Sequence, residues 1–504
     1  MKVKHIFSLA IIASVSFAGC KKDFLKTEPT QFLTPEQLAG AIAKDPKVAT
    51  GTLNGLYVTM YTPGVGGTTN HDDFGQKGID IYSDMLASDM VLAATVYGWY
   101  SNIAALTSPT DFTRNDTYIP WRYYYRQIFQ ANTIIDGLGG TDASPATANE
   151  KATMGQAKAM RAYAYFYLSQ LYAKEYGTGN EKVLPIYTST KQEAQPKSTV
   201  KQVWDLMIAD LTQAITLLTG FNRGTKDQIN ANVAKGLLSY VLAARGTQAD
   251  WTQVATLTQD IMAAYAVSDS LTVVARFDNT GKVTNTQSGF NNLATTSWMW
   301  GVDITNQSGI NLISWWGQVD QFTYSYAWAG DPKTIDRGLY DAIRADDIRK
   351  GQFASPTATN YKLQPINKFF DPARAPGGQR TVITDIHYMR SDEFYLLNAE
   401  ANAHIGQETL AKQALTALLQ KRIKDISYLG ALTGQALLNE IYFQTRVELW
   451  GEGKSYLAMK RNKATTTRGA NHLYFPGQSF AYNDAKLTFV IPQAEVLNNP
   501  NLNK

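Results

Sequence analysis

Tyr97, Trp99 and Asn102 stand close together in the segment TVYGWYSNIAAL. Flat rings beside an amide point to one chemistry in particular. A pyranose has apolar C–H faces and a rim of hydroxyls, so an exposed ring can cover a face while Asn, Asp or Arg bonds the rim. An aromatic side chain buries about 150–250 Å². Covering half of that with sugar, at about 25 cal/mol per Å², contributes roughly 2 kcal/mol before ordering costs. Two or three rings in an arc would then capture a saccharide weakly and reversibly. Trp315, Trp316 and Trp328 are further candidate platforms, and Tyr324 and Tyr326 form a weaker set. Core packing competes with this reading for every tryptophan. Trp298 and Trp300 share one face of the strand-like SWMWGVDI, while Trp204, Trp251 and Trp450 fall in helical patterns, so these five are assigned to the core.

Other chemistry finds little support. His71, His387, His404 and His472 make no zinc-binding pair at ligand spacing. The chain has no GxSxG elbow, Walker loop or dinucleotide fingerprint. His71-Asp72-Asp73 has metal-ligand types but reads better as a solvated turn. Glu448 and Glu452 straddle Gly451 with Arg446 and Lys454 close by, which points to local salt bridging. Carboxylates are plentiful, so a glycosidase-like acid/base pair stays open as an alternative. No catalytic residue, cofactor or metal ligand is assigned.

The one cysteine of the 504 residues is Cys20. Lys2 and Lys4, an apolar run over 6–18 and the small residues Ala18 and Gly19 precede it, which is the pattern of an export signal over 1–19. The run is shorter than the roughly 20 residues a spanning helix needs. The ending FAGC resembles a bacterial lipobox, which implies a diacylglyceryl thioether on Cys20. Loss of residues 1–19 lowers the formal charge from +4 to +2. So small an excess, with no long basic block, gives no argument for nucleic-acid binding.

The elements that must position these residues are mostly helical. In GQAKAMRAYAYFYLSQLY, Ala157, Met160, Ala164, Leu168 and Leu171 recur at three-and-four spacing, and Tyr163 and Tyr167 add a second stripe, which predicts a helix buried on most sides. Thr199 and Gln202 form a capping-box pattern before Trp204, Met207, Leu211, Ile215 and Leu218. A helix with Val233, Leu237, Val241 and Ala244 on one face and another opened by Asp250 and Gln253 make a pair of tetratricopeptide size, with Gly246 at the helix exit. A second pair turns at Gly406 after a helix that Ser391 can cap, and a third splits at Gly451 and Gly453. The expected organisation is a tether over 20–35 and a body over 36–504. The body has a helical scaffold over 121–265 and 391–461, with irregular, partly β insertions at about 60–120 and 266–390. Loops of that length in a compact protein are usually functional.

Several segments, taken in order, resemble the SusD/RagB family of outer-membrane nutrient-uptake lipoproteins. They begin with the lipobox, then Trp121, Tyr125, Ile128, Ala131 and Asn132 of WRYYYRQIFQANTII, and Arg161, Ala162, Tyr165, Phe166, Leu171, Tyr172 and Pro185 around the next helix. Asp210 and Leu211 follow, then Arg390, Glu393, Ala399, Glu400 and Ala401. Arg446, Glu448, Leu449, Gly451, Glu452, Gly453 and Arg461 carry the next motif, and Ile491, Pro492, Glu495, Asn499 and Pro500 the last. The resemblance implies a mainly α fold of tetratricopeptide-like helix pairs beside an irregular ligand-facing part. It implies a lipid-anchored, cell-surface outer-membrane protein that binds oligosaccharides, or in some members peptides. Such a protein passes its ligand to a partner TonB-dependent porin of the SusC type and performs no catalysis. The run Tyr97, Trp99, Asn102 resembles the glycan arc of the starch-binding member, with Tyr in place of Trp at the first ring, so starch as the ligand does not follow. A protein–protein scaffold is a further alternative, since helix-pair repeats often bind peptides.

Overall fold

The computed structural model describes residues 34–45 and 47–504. The expected signal peptide over 1–19 and Cys20 lie outside the described residues. Thr34 and Pro35, placed in the tether by sequence, already open a helix: Thr34 caps α1 (Pro35–Lys44) in a capping box with Gln37. Helices α2 (Lys47–Val58) and α3 (Gln76–Leu86) follow.

The scaffold is a stack of consecutive helices: α4 (Asn115–Gly137), α5 (Ala148–Tyr172), α6 (Val200–Leu217), α7 (Ala231–Arg245) and α8 (Gln248–Ala264). Each packs on the next. α5 is the central member, and every residue from Ala152 to Tyr172 is buried, as its double stripe requires. Thr199 and Gln202 form the expected capping box on α6, and Gly246 closes α7 at φ +69°. α8 starts two residues before the expected Asp250, because Thr247 is the cap and Asp250 is the residue that reaches back to it. The stack then resumes after a long excursion. α9 (Asp392–His404) packs directly on α8 although about 130 residues of chain separate their facing ends. α10 (Glu408–Leu419) and α11 (Gly434–Glu448) pack on α9, and α12 (Ser455–Arg461) follows. Ser391 does not cap α9 with its side chain; its hydroxyl donates to the Ala266 carbonyl, tying the two ends of the excursion together. Among the described residues no helix is long and apolar enough to cross a membrane.

Two antiparallel ribbons organise the irregular segments. β1 (Met90–Leu92) pairs with β2 (Lys333–Ile335) in the register Met90↔Ile335, Leu92↔Lys333. β3 (Trp298–Val302), the strand expected from SWMWGVDI, pairs with β4 (Ile386–Arg390). Trp298 and Trp300 are 1 % exposed, and Trp204, Trp251 and Trp450 are likewise core residues.

A buried ion network joins the excursion to the stack. Glu448 takes Arg349 at 3.1 Å, Arg390 at 2.9 Å and Arg422 at 3.0 Å. Glu452 takes Arg390 and Lys368, each at 2.8 Å, and His387 at 2.9 Å. Asp347 and Asp392 complete it against Arg349, Arg390 and Arg422. The expected local pairs do not form. Arg446 reaches Asp89, and Lys454 lies 3.6 Å from Glu393. The reason is that Glu448 and Glu452 point inward from the end of α11, where Gly451 and Gly453, at φ +79° and +72°, turn the chain against Phe369 and Asp80 with no room for a Cβ.

Candidate functional site

The β1–β2 ribbon brings two distant aromatic runs together. Because the strands are antiparallel, the chain leaving β1 through Val96–Trp99 and the chain entering β2 from Tyr324–Trp328 emerge at the same end of the ribbon. Asp331 locks them. Its carboxylate, 0 % exposed, accepts from the backbone N–H groups of Val96, Tyr97 (3.0 Å) and Gly98 (3.0 Å). Gly98 and Tyr100 flank Trp99 in the left-handed region, at φ +84° and +68°. For Tyr100 this conformation costs about 1–2 kcal/mol. Its ring is anchored in the core against Tyr82.

A third segment completes the cluster. The loop over 62–73 is wound around Asp73, which accepts from Gly66 N–H (2.7 Å), Thr68 N–H (3.0 Å) and the Thr68 hydroxyl (2.9 Å). Gln318 donates to the His71 carbonyl at 2.8 Å and accepts from the Lys333 ammonium at 2.7 Å, so the loop is tied to β2. Burial pushes that lysine down to about 7. His71 then stacks flat on Trp99, centroids 5.1 Å apart and planes 8° from parallel. Tyr326 forms the floor, edge-on to His71, Tyr97 and Trp99 at 5.8, 5.2 and 6.3 Å, with its hydroxyl against His71 Nδ1. Burial also lowers the His71 pKa, which favours the neutral ring that stacks.

Tyr97 is 58 % exposed above this floor and Trp99 is half-buried beside it. A second ring pair flanks the first. Trp328, 45 % exposed, lies 5.6 Å from Tyr324, and the Arg380 guanidinium lies 4.2 Å above the Tyr324 ring. Gly377 passes so close under Trp328 that a Cβ there would come within 2.5 Å of the indole. Asn102 is half-buried, and its side-chain amide has no hydrogen-bond partner among the described residues.

Trp315 and Trp316 correct the sequence reading. They are 2 % and 1 % exposed, inside a one-turn helix, Trp315–Val319, that is buried at every position. The Lys77 ammonium lies 4.5 Å from the Trp315 ring, and Phe369 packs edge-on to it at 5.2 Å. Neither indole has a free face. His71, read as part of a solvated turn, is instead a ring of the patch, and Tyr324 and Tyr326 have larger parts than their weak sequence signal suggests. The alternation Tyr324, Tyr326, Trp328 was the available clue. Arg380 left none.

The comparisons agree with this architecture. Residues 65–241 match a family model described as SusD-like, starch-binding and associating with outer membrane, and residues 348–504 match the model of the SusD family. A curated relative, SusD-like protein P25 of Formosa agariphila, is 27 % identical over 172 residues, which span 34 % of this chain and 31 % of that protein. A crystal structure of a SusD-like carbohydrate-binding protein from Bacteroides vulgatus has TM-score 0.73 at 24 % identity, covering 90 % of this chain and 96 % of its own. Surface glycan-binding protein A from Bacteroides thetaiotaomicron, solved with laminarihexaose, has TM-score 0.65 at 15 % identity, covering 90 % and 98 %. At these identities the structures share the fold. With the two family models matching in chain order, one ahead of the excursion and one from within it to residue 504, this chain belongs to the SusD/RagB family.

Proposed function

We propose that this protein captures oligosaccharide on the patch formed by His71, Tyr97, Trp99, Tyr324, Tyr326 and Trp328, and delivers it to a SusC-type TonB-dependent porin without cleaving it. The observation that carries the reading is the partition of the rings. Trp204, Trp298, Trp300, Trp315, Trp316 and Trp450 are entombed, whereas Tyr97 and Trp328 stand open at one end of the β1–β2 ribbon. Asn102 and Arg380 supply unspent donors for hydroxyl rims. Covering one face of Trp99 and of Tyr97 contributes roughly 2 kcal/mol each. A glycan that must be released again calls for a modest total of this kind.

The carboxylates that hold the ring-bearing loops support a role without catalysis. Asp331 and Asp73 each accept backbone amides and are fully buried. Neither is placed as an acid or base toward a bound saccharide. Family membership supports an outer-membrane location, and a lipid on Cys20 supplies the anchor in this reading, with the patch facing the cell exterior.

A glycan array probed with the soluble form that starts after Cys20 tests the proposal. Binding without products after long incubation is expected. Trp99→Ala should weaken it by about 2 kcal/mol, roughly thirtyfold, with the melting temperature little changed. Release of shorter saccharides would replace the reading with a glycosidase. Peptide binding with no saccharide affinity would replace its ligand.

A further inference from the structure

We infer that a second groove, on the far side of the loop that carries His71, binds acidic units of the oligosaccharide; this rests on the saccharide reading above. The groove, about 550 Å³, lies between α4 from Tyr118 to Asn132, the turn near residues 187–192 and the C-terminal helix Gln493–Asn498. α4 is two-faced. Tyr123, Tyr124, Gln127 and Ala131 are buried in the core. A second stripe, Tyr118, Arg122, Tyr125, Arg126 and Phe129, recurs at helical spacing and lines the groove. Packing accounts for Tyr125, whose hydroxyl donates to the Pro185 carbonyl at 2.8 Å, but not for Phe129, which is 44 % exposed, nor for the exposed Arg122 and Arg126.

The charge is unspent as well. Arg122 and Arg126 are exposed and make no ion pair or hydrogen bond among the described residues. Asp73, whose carboxyl feels the field of Arg126, is already saturated by Gly66 and Thr68. The groove's own carboxylate, Glu495, accepts from Asn499 Nδ2 at 2.7 Å and from Trp121 Nε1 at 3.4 Å. Two free guanidiniums therefore face one committed acid. They stand one helical turn apart, about 6 Å along the axis, with rings before, between and beyond them. A planar guanidinium pairs with a carboxylate or sulfate oxyanion through two parallel hydrogen bonds. Alternating rings and cations suit a chain whose units each have an apolar face and an acidic substituent.

The groove and the patch share a wall. A Cβ on Gly67 would lie 3.1 Å from Arg122 Nε and 3.3 Å from the Tyr118 ring, and four residues later His71 stacks on Trp99. Four residues span at most about 14 Å, so one oligosaccharide can reach both.

The test uses the full-length protein in detergent, titrated with tetragalacturonate and with its carboxyl-reduced, neutral counterpart. A preference for the acidic tetrasaccharide of roughly tenfold or more is expected from one charge-assisted contact. The double variant Arg122→Gln/Arg126→Gln should erase that preference, with the acidic and the neutral tetrasaccharide then bound equally. Equal affinity of the unmodified protein for the two sugars, or a preference that survives the double variant, would overturn the inference. Loss of porin co-purification in the double variant with saccharide binding intact would also overturn it and give the groove to the protein partner. Trp99→Ala separates the two readings. If it leaves all saccharide binding intact while the double variant abolishes the acidic preference, the groove stands and the patch falls.

Discussion

The buried network around Glu448 and the open patch around Trp99 draw on the same resources: residues distant in sequence, brought together by the excursion between α8 and α9. They use them in opposite ways. In the network every charge is answered. Arg349, Lys368, Arg390 and Arg422 meet Asp347, Asp392, Glu448 and Glu452, with side chains no more than 3 % exposed. Burial alone would raise the Glu448 pKa, but Arg422, Arg390 and Arg349 overcome it and hold the group well below the usual carboxylate range. In the patch the rings are held from behind while their outer faces and several polar groups stay unanswered. Satisfied groups fix a structure; unsatisfied groups at a fixed place select a ligand. The family motif residues Arg390, Glu448, Gly451, Glu452 and Gly453 fall in the first region, so the resemblance that identifies the fold says little about what is bound.

The sharpest way to break this comparison is Arg390→Ala. It strips Glu448, Glu452 and Asp392 of a shared cation at a place where their side chains are no more than 3 % exposed. Removing one member of a buried ion cluster costs about 3–5 kcal/mol. Denaturant unfolding should show a loss of that size. A protein of unchanged stability would mean that the network does not staple the excursion to the stack.

A smaller effect separates the regions by pH. Asp72, next to His71, is pushed up to about 8 by burial and then by the neighbouring Asp116 carboxylate. The folded state thus keeps a proton that the unfolded chain releases above its ordinary value of 3.8, so this group's contribution to stability falls as pH rises from about 4 to about 8. The limiting slope is about 1.4 kcal/mol per pH unit. Asp72→Asn keeps a partner for the Tyr82 hydroxyl, which lies 2.9 Å from Asp72. It should remove the slope, so that its stability relative to the unmodified protein improves between pH 5 and pH 8. Parallel stability–pH curves for the two proteins would show that Asp72 stays ionised.

The helical stack was legible because its signals are local. Three-and-four spacing over 157–171 and the Thr199–Gln202 cap are properties of short segments, and α5 and α6 form where those signals lie. The patch was half legible. Tyr97 and Trp99 stand out in a short irregular run, but Trp316 and Trp328 look alike in one such run, and only the second is exposed. What separates the buried pair from Trp328 is which remote side chains arrive. Lys77 and Phe369 cover Trp315, whereas Gly377 slips beneath Trp328 and leaves its other face free. His71 could not be read at all, since its hydroxyl partner Tyr326 is 255 residues away. The inward turn of Glu448 and Glu452 is likewise decided by arginines that no local spacing reveals.

Gly377 offers the finest test, because it asks whether a patch ring is positioned or merely exposed. Its φ of +62° places it in the left-handed region, and a Cβ would fall 2.5 Å from the Trp328 indole. Gly377→Ala therefore incurs about 1–2 kcal/mol of backbone strain and pushes the indole off its seat. Because Trp328 is 45 % exposed, the ring can swing into solvent, and no large stability loss follows from the collision. Unfolding should show a loss of about 1 kcal/mol, while saccharide affinity falls by roughly as much again, less than for Trp328→Ala. Unchanged affinity in both variants would confine the binding surface to the cluster floored by Tyr326 and remove Trp328 from it. Reduced affinity in Trp328→Ala alone would mean that the ring binds wherever it swings, so that exposure rather than placement is what the second ring pair contributes.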